Sequence, residues 1–448
     1  MSLPEDSAEL LSVRRSGPLR GICRVPGDKS VSHRALLFGA LSDGVVDIAG
    51  LGRGGDNVST ARALQALGVT IELDGERARV VGVGLGGLRA ASQALDCGNS
   101  GTSIRLLTGL LAGQPFETTL AGDASLTRRP MRRLAEPLRQ MGAAVDGRGE
   151  PGRPNDIFPP LRVRGGSLHG IRYALPVASA QLKSALVLAG LQATGRTEIS
   201  EPAQSRDHTE RMLRFLGAPV SADPARNLIV VDPTGWDGKL RAMPITVPGD
   251  FSSATFLLVS ALIVPGSDVV VENVGTNPTR TGALDVLRAM GGDLTVTQTG
   301  EAMGEPVSSI RVRASRLRGT RVDGTLALRA IDEIPALAVA AAVAEGTTVF
   351  ADLAELRVKE SDRIRALARE LGRAGITVGE QPDGLTITGA DPAAIRGGTV
   401  VPEHDHRIAM SGAILGLCSS EETLVDAVEI GTSFPTFAST LRALGATI

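Results

Sequence analysis

Residues 247–256 read VPGDFSSATF, and they repeat the opening of residues 25–34, VPGDKSVSHR. A pattern that restarts half-way along 448 residues points to two halves built alike, with a boundary near Pro248-Gly249-Asp250. Working outward from this pair, a helix-like run ending in a hydrophobic-Gly step and a β-prone segment recurs around Gly68, Gly142, Gly217, Gly291, Gly375 and Gly445. The spacings are 74, 75, 74, 84 and 70 residues, so six similar units fill the chain. Units of that length are too long for a short solenoid repeat, and grouping them by three into two globular domains fits better.

Each unit opens on a polar, Ser- or Asp-containing segment followed by an Ala/Leu-rich run. Examples are DKSVSHRALLFGAL, NSGTSIRLLTGLLAG, ASAQLKSALVLAGL, DFSSATFLLVSALIV, IDEIPALAVAAAVAEG and DHRIAMSGAILGLC. These first helices are apolar nearly all round and should be buried. A second, amphipathic helix follows, as in DRIRALARELGRAG, where Ile364, Leu367 and Leu371 make a stripe and the terminal glycine signals the stop. Pro130 suits the first turn of one such helix, and Pro137 should kink or break it. The Pro/Gly-rich stretch 147–160, GRGEPGRPNDIFPP, reads as a long connection.

Helix N-termini attract anions, and the polar openings repeat that feature six times. The glycine, lysine and serine of VPGDKS suggest a nucleotide-binding P-loop, but Asp28 separates Gly27 from Lys29 and the motif fails. What remains is a concentration of cations at the openings: Lys29, Arg34, Arg129, Lys359, Arg363 and Arg407 are expected at one face. Arginine matches phosphate and carboxylate in bidentate fashion, so a substrate carrying several such groups is implied. Asp332 and Glu360, each beside apolar sequence, are the acid–base candidates. His404 and His406 lack a third ligand nearby and suit an orienting or phosphate-contacting role better than a metal.

Composition narrows the classes. The formal net charge of −2 and 2% aromatic content speak against nucleic-acid binding. Cys23, Cys97 and Cys418 form neither a disulfide framework nor a zinc set. No apolar run approaches the length of a membrane span, and the acidic opening MSLPEDSAEL lacks the apolar segment of a signal peptide. A cytoplasmic protein is expected.

Taken together, PGDKSVSHRALL, NSGTSIR, IDEIP, LRVKESDRI, DHRIAM and TSFP closely resemble the 5-enolpyruvylshikimate-3-phosphate (EPSP) synthase family. ASAQLKSA, SRDHTERM, NPTRTG and GTSFPTF look like its class II branch. The resemblance implies an α/β (α+β) fold of two domains, each of three βαβαββ units, an inside-out α/β barrel. Residues 27–247 would form the first domain, mainly on the shikimate 3-phosphate side. Residues 1–26 and 248–448 would form the second, on the acid–base and phosphoenolpyruvate side, with the active site in the interdomain cleft. It further implies a monomer acting on those two substrates, with no metal or organic cofactor.

Residue by residue, the resemblance places Lys29 at both substrates and in catalysis. Shikimate 3-phosphate would meet Ser30, Arg34, Ser179, Ala180, Gln181, Ser205, Arg206, Asp332 and Lys359. Phosphoenolpyruvate would meet Asn99, Gly101, Arg129, Gln181, Arg363 and Arg407. Asp332 resembles the base at the 5-hydroxyl, and Glu360 the proton donor to the methylene carbon. Two positions depart from class I members: Thr432 stands where they carry a lysine, and Leu106 where they carry proline. Glyphosate occupies the phosphoenolpyruvate site in this family; Gly101 leaves room for it, whereas Leu106 and the class II pattern argue the other way.

Other readings compete. The enolpyruvyl transferase of UDP-N-acetylglucosamine shares the six-unit fold and carries a reactive loop cysteine, for which Cys97 is the candidate here. A catalytically dead, repeat-built binding protein would not need Glu360 beside Lys359 and Asp332. An ATP-dependent kinase is weakened by the failed P-loop.

Overall fold

Six amphipathic helices end on the same hydrogen-bonded device. In the computed structural model, which describes residues 10–448, they are α2 (Gly55–Ala66), α4 (Arg132–Gln140), α6 (His208–Phe215), α8 (Gly282–Ala289), α11 (Arg363–Arg373) and α13 (Phe437–Ala443). The glycine two residues beyond each has φ between +87° and +110°, left-handed backbone that a side chain would strain. Its N–H donates back three residues, as Gly68 does to Gln65 C=O at 3.0 Å. The following N–H reaches back five to a leucine carbonyl: Leu64, Leu138, Leu213, Leu287, Leu371 and Leu441, at 2.8–3.1 Å. This pair of bonds is the Schellman closure, which satisfies carbonyls that the helix end leaves orphaned. The recurrent glycines are therefore a geometric requirement, repeated six times.

The six first helices are α1 (Lys29–Leu41), α3 (Gly101–Leu111), α5 (Ala180–Gly190), α7 (Phe251–Ile263), α10 (Ile334–Ala342) and α12 (His406–Gly416). The short α9 (Gly324–Arg329) precedes α10. All of α7 and α10 is buried, and nearly all of α1, α5 and α12. Five of the six are capped by the polar residue just before them. Asp28 accepts from Val31 N–H at 2.9 Å, Ser100 from Ser103 at 3.0 Å and Asp250 from Ser253 at 3.0 Å. Asp405 accepts from Arg407 N–H at 2.9 Å, and Ser179 from Leu182 at 3.4 Å. The carboxylate that spoils a P-loop at Asp28 thus belongs to the helix start.

The chain folds into two compact units: residues 27–247 with 302–305, and residues 10–26 with 248–301 and 306–448. The acidic stretch at residues 1–9 lies outside the described residues. Each unit has its own apolar core, built largely from Leu, Val, Ala and Ile. In a typical repeat the sheet order is Leu95–Asp96, Glu117–Ala121, Arg153–Arg164, Ala144–Glu150: a parallel edge pair followed by two antiparallel neighbours. Two repeats exchange their edge strand. Arg20–Arg24, which leads into α1, pairs in parallel with Asp268–Gly275 after α7. Ile245–Thr246, which leads into α7, pairs with Val45–Ala49 after α1. In the sixth sheet Leu10–Val13 pairs antiparallel with Thr423–Asp426.

Two local expectations are corrected. Residues 147–160 are no connection: Ala144–Glu150 and Arg153–Arg164 form an antiparallel hairpin turning at Pro151-Gly152. Irregular register near Arg148 absorbs the prolines, and Arg148 and Arg153 stack on Phe158 at 5.8 and 4.9 Å from the ring centre. Pro137 does not break α4, and Pro130 lies before it. The proline ring is buried with Leu134, Ala135 and Leu138, and this apolar face holds the short helix through the one donor it lacks.

Candidate active site

In the 27–247 unit the chemistry begins on the first turn of α1. Lys29, the first helical residue, places Nζ 2.5 Å from Asp56 Oδ2 on α2. Arg34 lies buried beneath it: Nε donates to Thr209 Oγ1 at 2.6 Å, Nη2 to Ser184 Oγ at 2.8 Å and Nη1 to Ser30 C=O at 3.0 Å. Burial lowers its pKa to about 10, against the opposing pull of Glu210. Arg34 thereby ties α1 to α5 and α6.

At the head of α3, Asn99 Oδ1 accepts from Arg129 Nη2, and Arg129 also reaches Ser125 Oγ at 3.3 Å. Gln181, near the start of α5, uses both ends of its amide. Its oxygen accepts from Arg105 Nη1 at 2.9 Å, and its nitrogen donates to Thr102 Oγ1 at 2.8 Å. A side chain at Gly101 would bring its Cβ within 2.7 Å of Arg105 Nη1 and 2.9 Å of Arg129 Nη1. Glycine here lets two guanidinium groups converge on the helix start. Leu106 is wholly buried inside a regular α3, so its replacement of proline leaves the helix opening intact. Ser179 is the cap of α5 and Ala180 its first residue. Ser205 is buried and donates its hydroxyl to Glu201, while Arg206 is half-buried.

In the 248–448 unit the centre is Arg363, the first residue of α11 and only 1% exposed at its side chain. Its Nε donates to Asp405 Oδ2 at 2.8 Å, Nη2 to Glu360 Oε2 at 2.7 Å, and Nη1 lies 3.6 Å from Asp332 Oδ1. Burial opposes its charge, but the carboxylates more than reverse that and hold its pKa above the usual arginine value. Burial likewise pushes Asp405 upward, and Arg363 outweighs it, so this carboxyl ends below the usual range. Lys359 Nζ stands 3.4 Å from Asp332 Oδ1, and Arg407 Nη1 donates to the Asp332 carbonyl at 2.8 Å. Asp332, Lys359, Glu360, Arg363, Asp405 and Arg407 therefore form one network.

The six expected cations fall three to each unit. Lys29, Lys359 and Arg363 face carboxylates, among them Asp56 and Asp405, which the sequence left unpaired. Asp332 and Glu360 sit among cations rather than in the apolar surroundings expected of them, because folding brings Lys359 and Arg363 against them. Arg105 was visible only as the last residue of NSGTSIR; its spacing of four from Gly101 was the available signal. Thr432 turns its hydroxyl to Glu429 C=O at 2.7 Å. His404 is exposed and faces Glu429 at 3.3 Å. Cys97 is buried, and burial, with Asp96 and Asp56, raises its thiol to about 12. That removes it as a reactive loop nucleophile.

Residues 13–441 match the family model described as EPSP synthase (3-phosphoshikimate 1-carboxyvinyltransferase). The chain belongs to the EPSP synthase family. It is 50% identical over 434 residues to the 3-phosphoshikimate 1-carboxyvinyltransferase of Citrifermentans bemidjiense, covering 96% of this chain and 98% of that one. With the enzyme of the same name from Geobacter metallireducens the identity is 51% over 438 residues, covering 97% and 99%. Among solved structures, EPSP synthase from Acinetobacter baumannii superposes with a TM-score of 0.85 at 45% identity, over 98% of both chains. As an EPSP synthase, the chain is a transferase of the shikimate pathway to aromatic amino acids. It moves the enolpyruvyl group of phosphoenolpyruvate to shikimate 3-phosphate, at the 5-hydroxyl, and releases phosphate.

Proposed function

We propose that the two clusters serve this one reaction, with the acid–base chemistry carried by the Arg363 network. Asp332 takes the proton of the 5-hydroxyl as its oxygen attacks C2 of phosphoenolpyruvate, and Glu360 gives a proton to the methylene carbon. The product of that addition is a tetrahedral ketal. Glu360, now ionised, takes a proton back from the new methyl group as the C–O bond to phosphate breaks and the double bond is restored, and the proton held by Asp332 leaves with the phosphate. Negative charge stays on phosphate and carboxylate throughout, and fixed cations stabilise it without reorganising. The supporting observation is that Asp332 and Glu360 both face one buried guanidinium, at 3.6 and 2.7 Å.

Lys29, Ser30, Arg34, Ser179, Ala180, Gln181, Ser205, Arg206, Asp332 and Lys359 hold shikimate 3-phosphate in this reading. Lys29, Asn99, Gly101, Arg129, Gln181, Arg363 and Arg407 hold phosphoenolpyruvate. Arg105, which donates to Gln181, and Arg129 both converge on Gly101, where an anion has two guanidinium groups within reach. The enzyme works in this reading as a cytoplasmic monomer; no helix among the described residues is long and apolar enough to cross a membrane.

Glu360→Gln tests the assignment. Turnover should fall by roughly 10²–10⁴-fold, the usual worth of a positioned acid–base group. Shikimate 3-phosphate binding, measured by calorimetry, should stay within about twofold. Turnover close to that of the parent enzyme would remove Glu360 from the proton-transfer role.

A further inference from the structure

Beneath the start of α5 lies a buried ion cluster that the reaction does not use directly. Lys183 Nζ contacts Glu201 Oε1 at 2.9 Å, Glu210 Oε1 at 2.8 Å and Ser205 C=O at 3.3 Å. The three charged side chains are each about 1% exposed. An ammonium has three donors, and all three are engaged here. The other oxygen of Glu201 accepts the Ser205 hydroxyl. Burial alone would lower the pKa of Lys183, but the two glutamates reverse this and keep it charged. Arg34 is the neighbouring cation, and Glu210 stabilises its charge as well.

The position of these partners along the chain matters. Glu201 opens the loop that follows strand Thr197–Ser200, Ser205 lies in its middle, and Glu210 lies in the first turn of α6. One ammonium on α5 therefore grips the beginning, middle and end of the segment bearing Ser205 and Arg206. Little apolar packing is available to fix that loop, because Pro202 is exposed and Ala203 and Gln204 only half-buried. A buried ion pair is a weak source of net stability, since apolar residues of similar size serve as well. What it supplies is a defined position for the groups it bonds.

We propose that Lys183, with Glu201, is a positioning residue that holds the Ser205–Arg206 loop in the geometry that recognises the 3-phosphate of the substrate. The inference rests on the reading of Ser205 and Arg206 as phosphate contacts. It separates Lys183 from a purely stabilising role because the effect should depend on whether the ligand carries a phosphate.

The test is the charge-compensated double variant Lys183→Met/Glu201→Gln, titrated by calorimetry with shikimate 3-phosphate and with shikimate, which lacks the phosphate. Shikimate 3-phosphate affinity and its KM should worsen about tenfold, the worth of one hydrogen bond to a charged group. Shikimate affinity, kcat and the KM for phosphoenolpyruvate should stay within about twofold. Glu201→Gln alone, which changes almost no volume, should show the same selectivity at about threefold, and it decides the matter should the double variant fail to fold. An equal loss for both ligands, or no loss in a folded variant, overturns the proposal. Arg206→Ala, run in parallel, tests the underlying reading: unchanged shikimate 3-phosphate binding there would remove the phosphate loop itself.

Discussion

Asp28 offers a measurable test of the helix-start argument. Its carboxylate accepts from Val31 N–H at 2.9 Å, is 2% exposed, and heads a helix in which eleven residues are buried. Asp28→Ala removes an N-cap, worth about 1 kcal/mol, and strands a buried donor at a cost of roughly 1–3 kcal/mol. These overlap, so the net loss should be about 2 kcal/mol. Asp28→Asn keeps an accepting oxygen and forfeits only the charge at the positive helix end, about 0.5 kcal/mol. At about 2–4 °C per kcal/mol for a unit of this size, thermal unfolding should fall by roughly 4–8 °C for alanine and 1–2 °C for asparagine. Scanning calorimetry reads both. Fraying should also raise the KM values, because Lys29 and Arg34 occupy the first two turns of α1. Equal losses for alanine and asparagine would show that the charge, not the cap, is what the position needs. A neutral alanine variant would refute the reasoning outright.

Two further outcomes follow from the geometry. His33 is fully buried against Thr60 Oγ1 at 2.7 Å, and burial, then Lys29 and Arg34, hold its pKa well below 6.5. A depressed histidine contributes stability that is present above the unfolded pKa and is lost as pH falls from about 6.5 toward the folded value. His33→Asn should therefore flatten the acid limb of urea-unfolding stability by up to one proton, about 1.4 kcal/mol per pH unit; an unchanged slope would exclude this. Gly101→Ala should raise the KM for phosphoenolpyruvate about tenfold with little change in melting temperature. The new methyl displaces the flexible ends of Arg105 and Arg129 rather than backbone, and a large loss of stability would contradict that.

The six-unit architecture was legible because its signals are local. A glycine after an amphipathic helix, and an Asp or Ser before a buried one, answer to φ values and to hydrogen bonds spanning three to five residues. Those constraints act within a few residues and so leave a repeating trace. The same locality explains two misreadings: prolines at 137 and 154–160 argued for breaks that packing against Phe158 and Leu138 overrode.

What the sequence alone determined is the repeat, the caps, the burial of the first helices and the family's motifs. Tertiary structure alone decided how the charges are partnered. Arg363 meets Asp405 from 42 residues away, Lys29 finds Asp56 on another helix, and Lys183 gathers two groups from one loop and a third from the helix that follows it. It also decided which strand completes which sheet, since Arg20–Arg24 and Ile245–Thr246 pair with strands 248 and 197 residues away. The physical reason is range. A cap or a glycine turn is set by the backbone beside it, whereas an ion pair or an edge strand depends on which distant segments the cores bring together.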